Sequence, residues 1–254
     1  MNFIINFFVA AVLMGTTLMY GTLGEILTEK SGNMNLGVEG LVYMGGSSGL
    51  IAAFLYERAA GEGAVPMVAV ILAFVAAFLA AALGSLLYAF LTITLRTNQN
   101  VTGLTLTTLG TGVLGFWGRM MAKEGTTFVR ASKCFTAPMF GAVGDDAFSQ
   151  IFLSHGTLIY VSLIIAIIVA FVLKKTRKGL SLSAVGENPA AADSVGINIV
   201  RYKYLHIMIG AGIMGIGGYY MGLNMAGSLS SSCWINGYGW IAVALVIFAN
   251  WNPA

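Results

Sequence analysis

The chain has 254 residues, 57% of them hydrophobic and only 9% charged, with 33 glycines and a mean hydropathy of +0.84. That composition excludes a water-soluble globular domain and describes a polytopic membrane protein. A formal net charge of +3 is too small to suggest a nucleic-acid partner.

In chain order, apolar runs of helical length cover 3–23, 37–55, 65–91, 101–117, 157–173, 205–223 and 240–248. None shows the short alternating pattern of an outer-membrane barrel, so the expected fold is all-α: a polytopic transmembrane helical bundle of about seven to eight spans in one domain, 1–254. The first run lacks a basic flank and is too long for a signal-peptide core, so it is expected to remain as a membrane helix. Connector 174–204 holds Lys174, Lys175, Arg177, Lys178, Arg201 and Lys203, the densest basic segment, and is therefore predicted to be cytoplasmic. Counting outward puts the N-terminus and the 118–156 loop outside, although the segment from Arg119 to Gly156 carries four basic residues of its own, Arg119, Lys123, Arg130 and Lys133. That loop is either a landing surface for a partner or a connector.

Within the second run, Glu39 is the most conspicuous polar group, because a carboxylate in hydrocarbon needs a partner or a cavity. Asn35 and Glu39 are four apart, a spacing that puts them on one helical face, and Gly37 and Gly40 would ease a break there. Glu39 either lines such a broken helix or, the favoured reading, sits near the cytoplasmic interface and satisfies backbone donors at a helix start. The stretch TNQNVTGLTLTTLGT (97–111) is too polar for a lipid-facing helix. Asn100, Thr107 and Thr111 share a face and are expected to line a cavity for a polar, uncharged solute, while hydroxyls bonding their own preceding carbonyls are the plainer alternative. Gly45 with Gly49, and Gly218 with Gly222, have the spacing of tight helix packing. NMAGSLSSSCWIN (224–236) reads as a re-entrant or outer connector. Cys134 and Cys233 match no metal spacing and are assigned to packing, with a disulfide as the minor alternative. His155 and His206 lack ligand-spaced neighbours and are read as interfacial residues.

The basic connector contains VGENPAAADSVGI (185–197). Asn188 is a good N-cap, Pro189 suits the first helical position, three alanines follow, and Gly196 can end the helix in the left-handed conformation. A helix of about two turns is not stable alone, so it must dock on something. The surrounding string SAVGENPAAADSVGI (183–197) resembles the cytoplasmic coupling segment of ABC-importer permeases, in the family that carries branched-chain amino acids, simple sugars and nucleosides. EKSGNMNLGVEG (29–40) is similar to that family's lead-in to its second helix, and GYGWIAVALVIFANWNP (237–253) to its glycine-aromatic helix and closing turn. The NLGVEG form is most like the nucleoside and simple-sugar branch.

The resemblance implies a permease subunit forming half of a translocation pathway in a bacterial or archaeal plasma membrane, surrounded by membrane lipid. It implies a short cytoplasmic coupling helix whose Glu187, Asn188, Pro189, Ala191, Asp193 and Gly196 enter a cleft of a separate ATPase subunit. The other expected partners are a second, homologous permease and an external substrate-binding protein or lipoprotein. No cofactor is expected on this chain; ATP and Mg belong to the ATPase. Related permeases continue beyond the NWNP turn, so the expectation is a C-terminally shortened chain. Two rivals are weaker. An aquaporin-like channel would use the two Asn-Pro-Ala triplets, but the first lies among charges. An ion-coupled carrier would need more ionisable groups in the spans. No GxxxxGK[ST] loop is present, and no catalytic constellation or metal site was found.

Overall fold

A computed structural model describes residues 2–124, 136–140, 146–226 and 237–253. Among the described residues the chain is all helix, without a strand. The long helices are α1 (Asn2–Lys30), α2 (Val38–Ala60), α3 (Pro66–Ala89), α4 (Gln99–Glu124), α6 (Thr157–Lys175) and α9 (Ile199–Met221). Shorter ones are α5 (Ala147–Phe152), α7 (Arg177–Glu187), α8 (Pro189–Ser194) and α10 (Tyr238–Phe248). Wide π turns, Phe90–Thr94 and Gly222–Ala226, extend α3 and α9.

Among the described residues, four segments are long and apolar enough to cross a membrane: Phe3–Lys30, Val38–Gly63, Pro66–Thr94 and Thr157–Lys175. Two further runs expected as spans, 101–117 and 205–223, lie in the long helices α4 and α9, which are less apolar because threonines and glycines replace aliphatic side chains. The last run, 240–248, lies in α10. Its helix has 11 residues, which reach roughly 17 Å, little more than half of a roughly 30 Å hydrocarbon core.

Burial explains the difference in composition. Helices α3 and α6 present Ile71, Leu83, Ile167 and Phe171 outward, the apolar exterior of a protein whose solvent is lipid. By contrast, α2 and α9 sit inside, packed on each other and on α1 and α3. Their glycines let backbones approach. A Cβ on Gly45 would collide with Gly215, one on Gly49 would lie 2.9 Å from the Ala73 carbonyl, and one on Gly218 would strike the Val42 carbonyl. Gly222 opens the π turn that ends α9. Tyrosines tie the helices at longer reach, Tyr20 donating to the Leu158 carbonyl at 2.7 Å and Tyr220 to that of Leu13 at 3.0 Å.

Both histidines are buried: His155 donates through Nε2 to the Ile151 carbonyl and His206 through Nδ1 to that of Tyr202, each at 2.8 Å. Cys134, Cys233 and most of the polar 224–236 stretch lie outside the described residues, as do 125–135 and 141–145 of the expected external loop.

Candidate functional site

Between α1 and α2 the chain does not simply turn outward. After Lys30 it doubles back into the bundle, and Val38, the first residue of α2, packs beside Gly21. Gly21 is nine residues from the end of α1, roughly 13 Å along the helix axis. Segment 31–37 is therefore non-helical backbone folded against its own bundle, where its buried polar groups call for protein partners.

Several of those groups have partners elsewhere in the chain, although Asn33 Oδ1 and Asn35 Nδ2 are buried without one. Met34 donates its N–H to Gln99 Oε1 at 2.9 Å, and its carbonyl accepts from Tyr88. The Asn35 N–H donates to Glu25 Oε1 at 3.0 Å, and the Leu36 carbonyl accepts from Thr107 at 3.4 Å. Finally, Asn35 Oδ1 accepts the Gly37 N–H at 2.9 Å, closing a local turn. Glycines then let α4 lie against this backbone: a Cβ on Gly103 would be 2.8 Å from the Leu36 nitrogen, and one on Gly110 would collide with Gly40.

This arrangement divides the five expected pathway residues. Asn35 and Thr107 meet around Leu36. Thr111 lies one turn further along α4 and donates to the Thr107 carbonyl at 2.6 Å, so its hydroxyl is spent on its own helix. Asn100 is exposed at the start of α4, where Asn98 caps the helix by accepting the Asn100 N–H at 2.9 Å. Because α2 begins only at Val38, Asn35 and Glu39 do not share a helical face, contrary to their spacing.

Glu39 is buried in the first turn of α2 and satisfies a backbone donor at a helix start. Its Oε1 accepts the Gly237 N–H at 3.1 Å and the Tyr43 hydroxyl at 3.2 Å. Gly237, at φ +93°, precedes the first turn of α10. Two helix N-termini, of α2 and α10, thus meet inside the bundle with one carboxylate between them, where the positive ends of both dipoles favour it.

Sequence reasoning missed a second carboxylate. Glu25 is 0% exposed in the last third of α1, a segment read as lying beyond the first span. One turn on, Glu29 accepts the indole N–H of Trp251, which follows α10. The signal that could have found them is weak: Glu25, Thr28 and Glu29 are polar residues continuing a helical run.

The basic connector folds as two helices, not one. Thr176 caps α7, accepting the Gly179 N–H at 3.2 Å. Asn188 ends α7 and caps α8, its Oδ1 accepting the Ala191 N–H at 3.1 Å, with Pro189 at the first helical position. At the other end Gly196 takes φ +79°, and the bonds from Gly196 N to Asp193 O (2.9 Å) and from Ile197 N to Ala192 O (3.1 Å) form a Schellman stop.

Ala192 is the buried anchor of α8, whereas Glu187, Asn188, Pro189, Ala191, Asp193 and Gly196 all face solvent. Beside them stand two aliphatic side chains that the sequence did not single out, Leu180 and Val195, each 73% exposed. Near the start of α9, burial lowers the ammonium pKa of Lys203. The last turn of α7 touches the doubled-back segment directly: a Cβ on Gly186 would collide with the Lys30 carbonyl, and one on Gly32 would lie 3.1 Å from Gly186 Cα.

Residues 7–254 match the family described as the permease component of the branched-chain amino acid transport system. The chain belongs to that family. Among similar proteins are TsgC13 of Haloferax volcanii, provisionally named a glucose ABC transporter permease, 33% identical over 100% of this chain and 73% of its own length. The guanosine ABC transporter permease NupQ of Bacillus subtilis is 31% identical over 96% of this chain and 77% of its own length. The nucleoside ABC transporter permease NupC of Lactococcus lactis is 29% identical over 95% and 74%. No solved structure matches the chain. The permease is thus a multi-pass membrane transport subunit of the ABC type.

Proposed function

We propose that the permease forms half of the pathway of an ATP-driven importer for a small polar solute, a nucleoside first and a simple sugar second. Its site is a bacterial or archaeal plasma membrane. The relatives named for guanosine, nucleoside and glucose transport support that solute class. Its partners are a second, homologous permease, an external substrate-binding protein or lipoprotein, and an ABC ATPase that holds ATP and Mg. Helices α4 and α9 complete the membrane crossing, and connector 174–204 faces the cytoplasm.

The observation that carries this reading is α8: capped at both ends, anchored by one buried alanine, and solvent-facing at all six positions assigned to ATPase coupling. Displacement of α8 moves α7. Through the Gly186–Gly32 contact, α7 then shifts the doubled-back segment that carries Asn35. Inward or outward movement of that segment opens or closes the path beside α4.

The test is uptake of labelled guanosine and glucose into proteoliposomes containing the complete complex, with and without internal ATP. ATP-dependent guanosine uptake exceeding glucose uptake is expected. Uptake independent of ATP would overturn the importer reading, and glucose preference would reverse the order of solutes.

A further inference from the structure

Helix α6 packs on α1 and α7, and beyond that contact a cleft of about 660 Å³ separates it from α3 and α9. Its α9 wall is Ile209, Ile213 and Ile216, and its α6 wall includes Ile165, Val169 and Val172. Ile213, Ile216 and Val169 are buried, so the cleft cuts into the bundle and is not merely the outer surface that bulk lipid wets.

One end is chemically different. Lys178 of α7 and Arg201 of α9 both line the mouth, and none of the lining residues is acidic. Lys174 and Lys175, in the last turn of α6, mark the same level. From Arg201 to Ile216 is fifteen residues, roughly 22 Å along α9, more than the roughly 15 Å of half a hydrocarbon core.

We propose that this cleft binds one anionic phospholipid, its phosphate between Lys178 and Arg201 and an acyl chain along the isoleucine wall. Apolar depth with two cations at one end complements an amphiphile carrying one negative head group, and not a neutral or a cationic one. A bound lipid would also fill the gap that leaves α6 joined to the bundle chiefly through α1 and α7, and would connect it to the connector that bears α8.

The experiment is native mass spectrometry of the permease, purified from its own membranes in neutral detergent and titrated with dioleoyl phosphatidylglycerol or dioleoyl phosphatidylcholine. A one-to-one phosphatidylglycerol adduct is expected. Replacing both cations (K178A/R201A) should weaken it about 30-fold, as expected for two basic groups at an anionic surface. Dihexanoyl phosphatidylglycerol has the same head group with chains too short for the cleft, and it should bind the unaltered permease more weakly. That arm needs no folded variant. Ile209→Trp, which fills the wall, should abolish the adduct with the helical circular dichroism retained.

Equal binding of the two dioleoyl lipids would overturn the proposal, as would an unchanged K178A/R201A protein or equal binding of short and long chains. So would a lipid-free dimer that Ile209→Trp dissociates, since a second copy would then occupy the cleft.

Discussion

Replacing Gly196 with alanine isolates what the Schellman stop contributes. A Cβ there has nothing within 4 Å, so no packing term enters, while φ is +79°. Holding an alanine in the left-handed region costs about 1–2 kcal/mol, or about a 5- to 30-fold shift toward conformers lacking the stop. Helix α8 has six residues and one buried side chain to resist that shift, and so short a helix is not stable by itself. If only ordered α8 transmits force, solute imported per ATP hydrolysed should fall by about the same 5- to 30-fold factor, with an unchanged melting temperature of the complex. Gly196→Val, with a β-branch, should be worse. Gly196→Asn should retain most of the coupling, because asparagine enters the left-handed region more readily. The assay is simultaneous measurement of uptake and phosphate release in proteoliposomes. Wild-type coupling in Gly196→Ala would refute the reasoning, and so would an asparagine variant as damaged as the alanine one, because backbone conformation would then not be the cause.

Three further outcomes follow from packing and hydrogen bonding. Gly218→Ala forces a methyl into the Val42 carbonyl, whereas Gly112→Ala meets nothing within 4 Å; the first should lose about 1–3 kcal/mol and the second nothing, as read by thermal unfolding in detergent. Glu25→Leu removes the acceptor of the Asn35 N–H and should cost about 1–3 kcal/mol, while Glu25→Gln, which keeps an acceptor, should cost much less. Equal losses for the two would show that charge, not the hydrogen bond, matters at that site. For Glu39, glutamine preserves an acceptor for Gly237 and Tyr43, so Glu39→Gln should transport normally and Glu39→Ala should be destabilised; a folded, transport-dead Glu39→Gln would overturn the structural role given to this carboxylate.

Local chemistry made part of this legible in advance. Asn188, Pro189 and Gly196 act within a few residues of themselves, so the caps of α8 could be read directly. The apolar runs of α3 and α6 were equally readable, because lipid-facing helices need only be apolar. Helices α4 and α9 were harder. Their polarity reflects partners elsewhere in the chain, as when Gly215 and Gly218 admit the backbones of α3 and α2. What escaped was long-range: Glu25 is buried because the chain doubles back to place Asn35 beside it, and Glu29 meets Trp251 from 222 positions away. Glu39 showed its chemistry but not its partner, since Gly237 lies 198 positions away. Helix α7 went unseen because RKGLSLSAVGE is short and carries only three large apolar residues; it is held by docking of Leu182 and Val185.

In the proposed function, α8 is the surface on which an ATPase acts. Site-specific crosslinking from Asp193→Cys, exposed on α8, tests it most directly: a short bifunctional reagent is applied to native membranes and the products are identified by mass spectrometry. The expected product is a crosslink to a nucleotide-binding subunit whose yield changes when ATP is added. Crosslinks only to other membrane segments, unaltered by ATP, would contradict it and leave α8 as a structural cap on its own bundle.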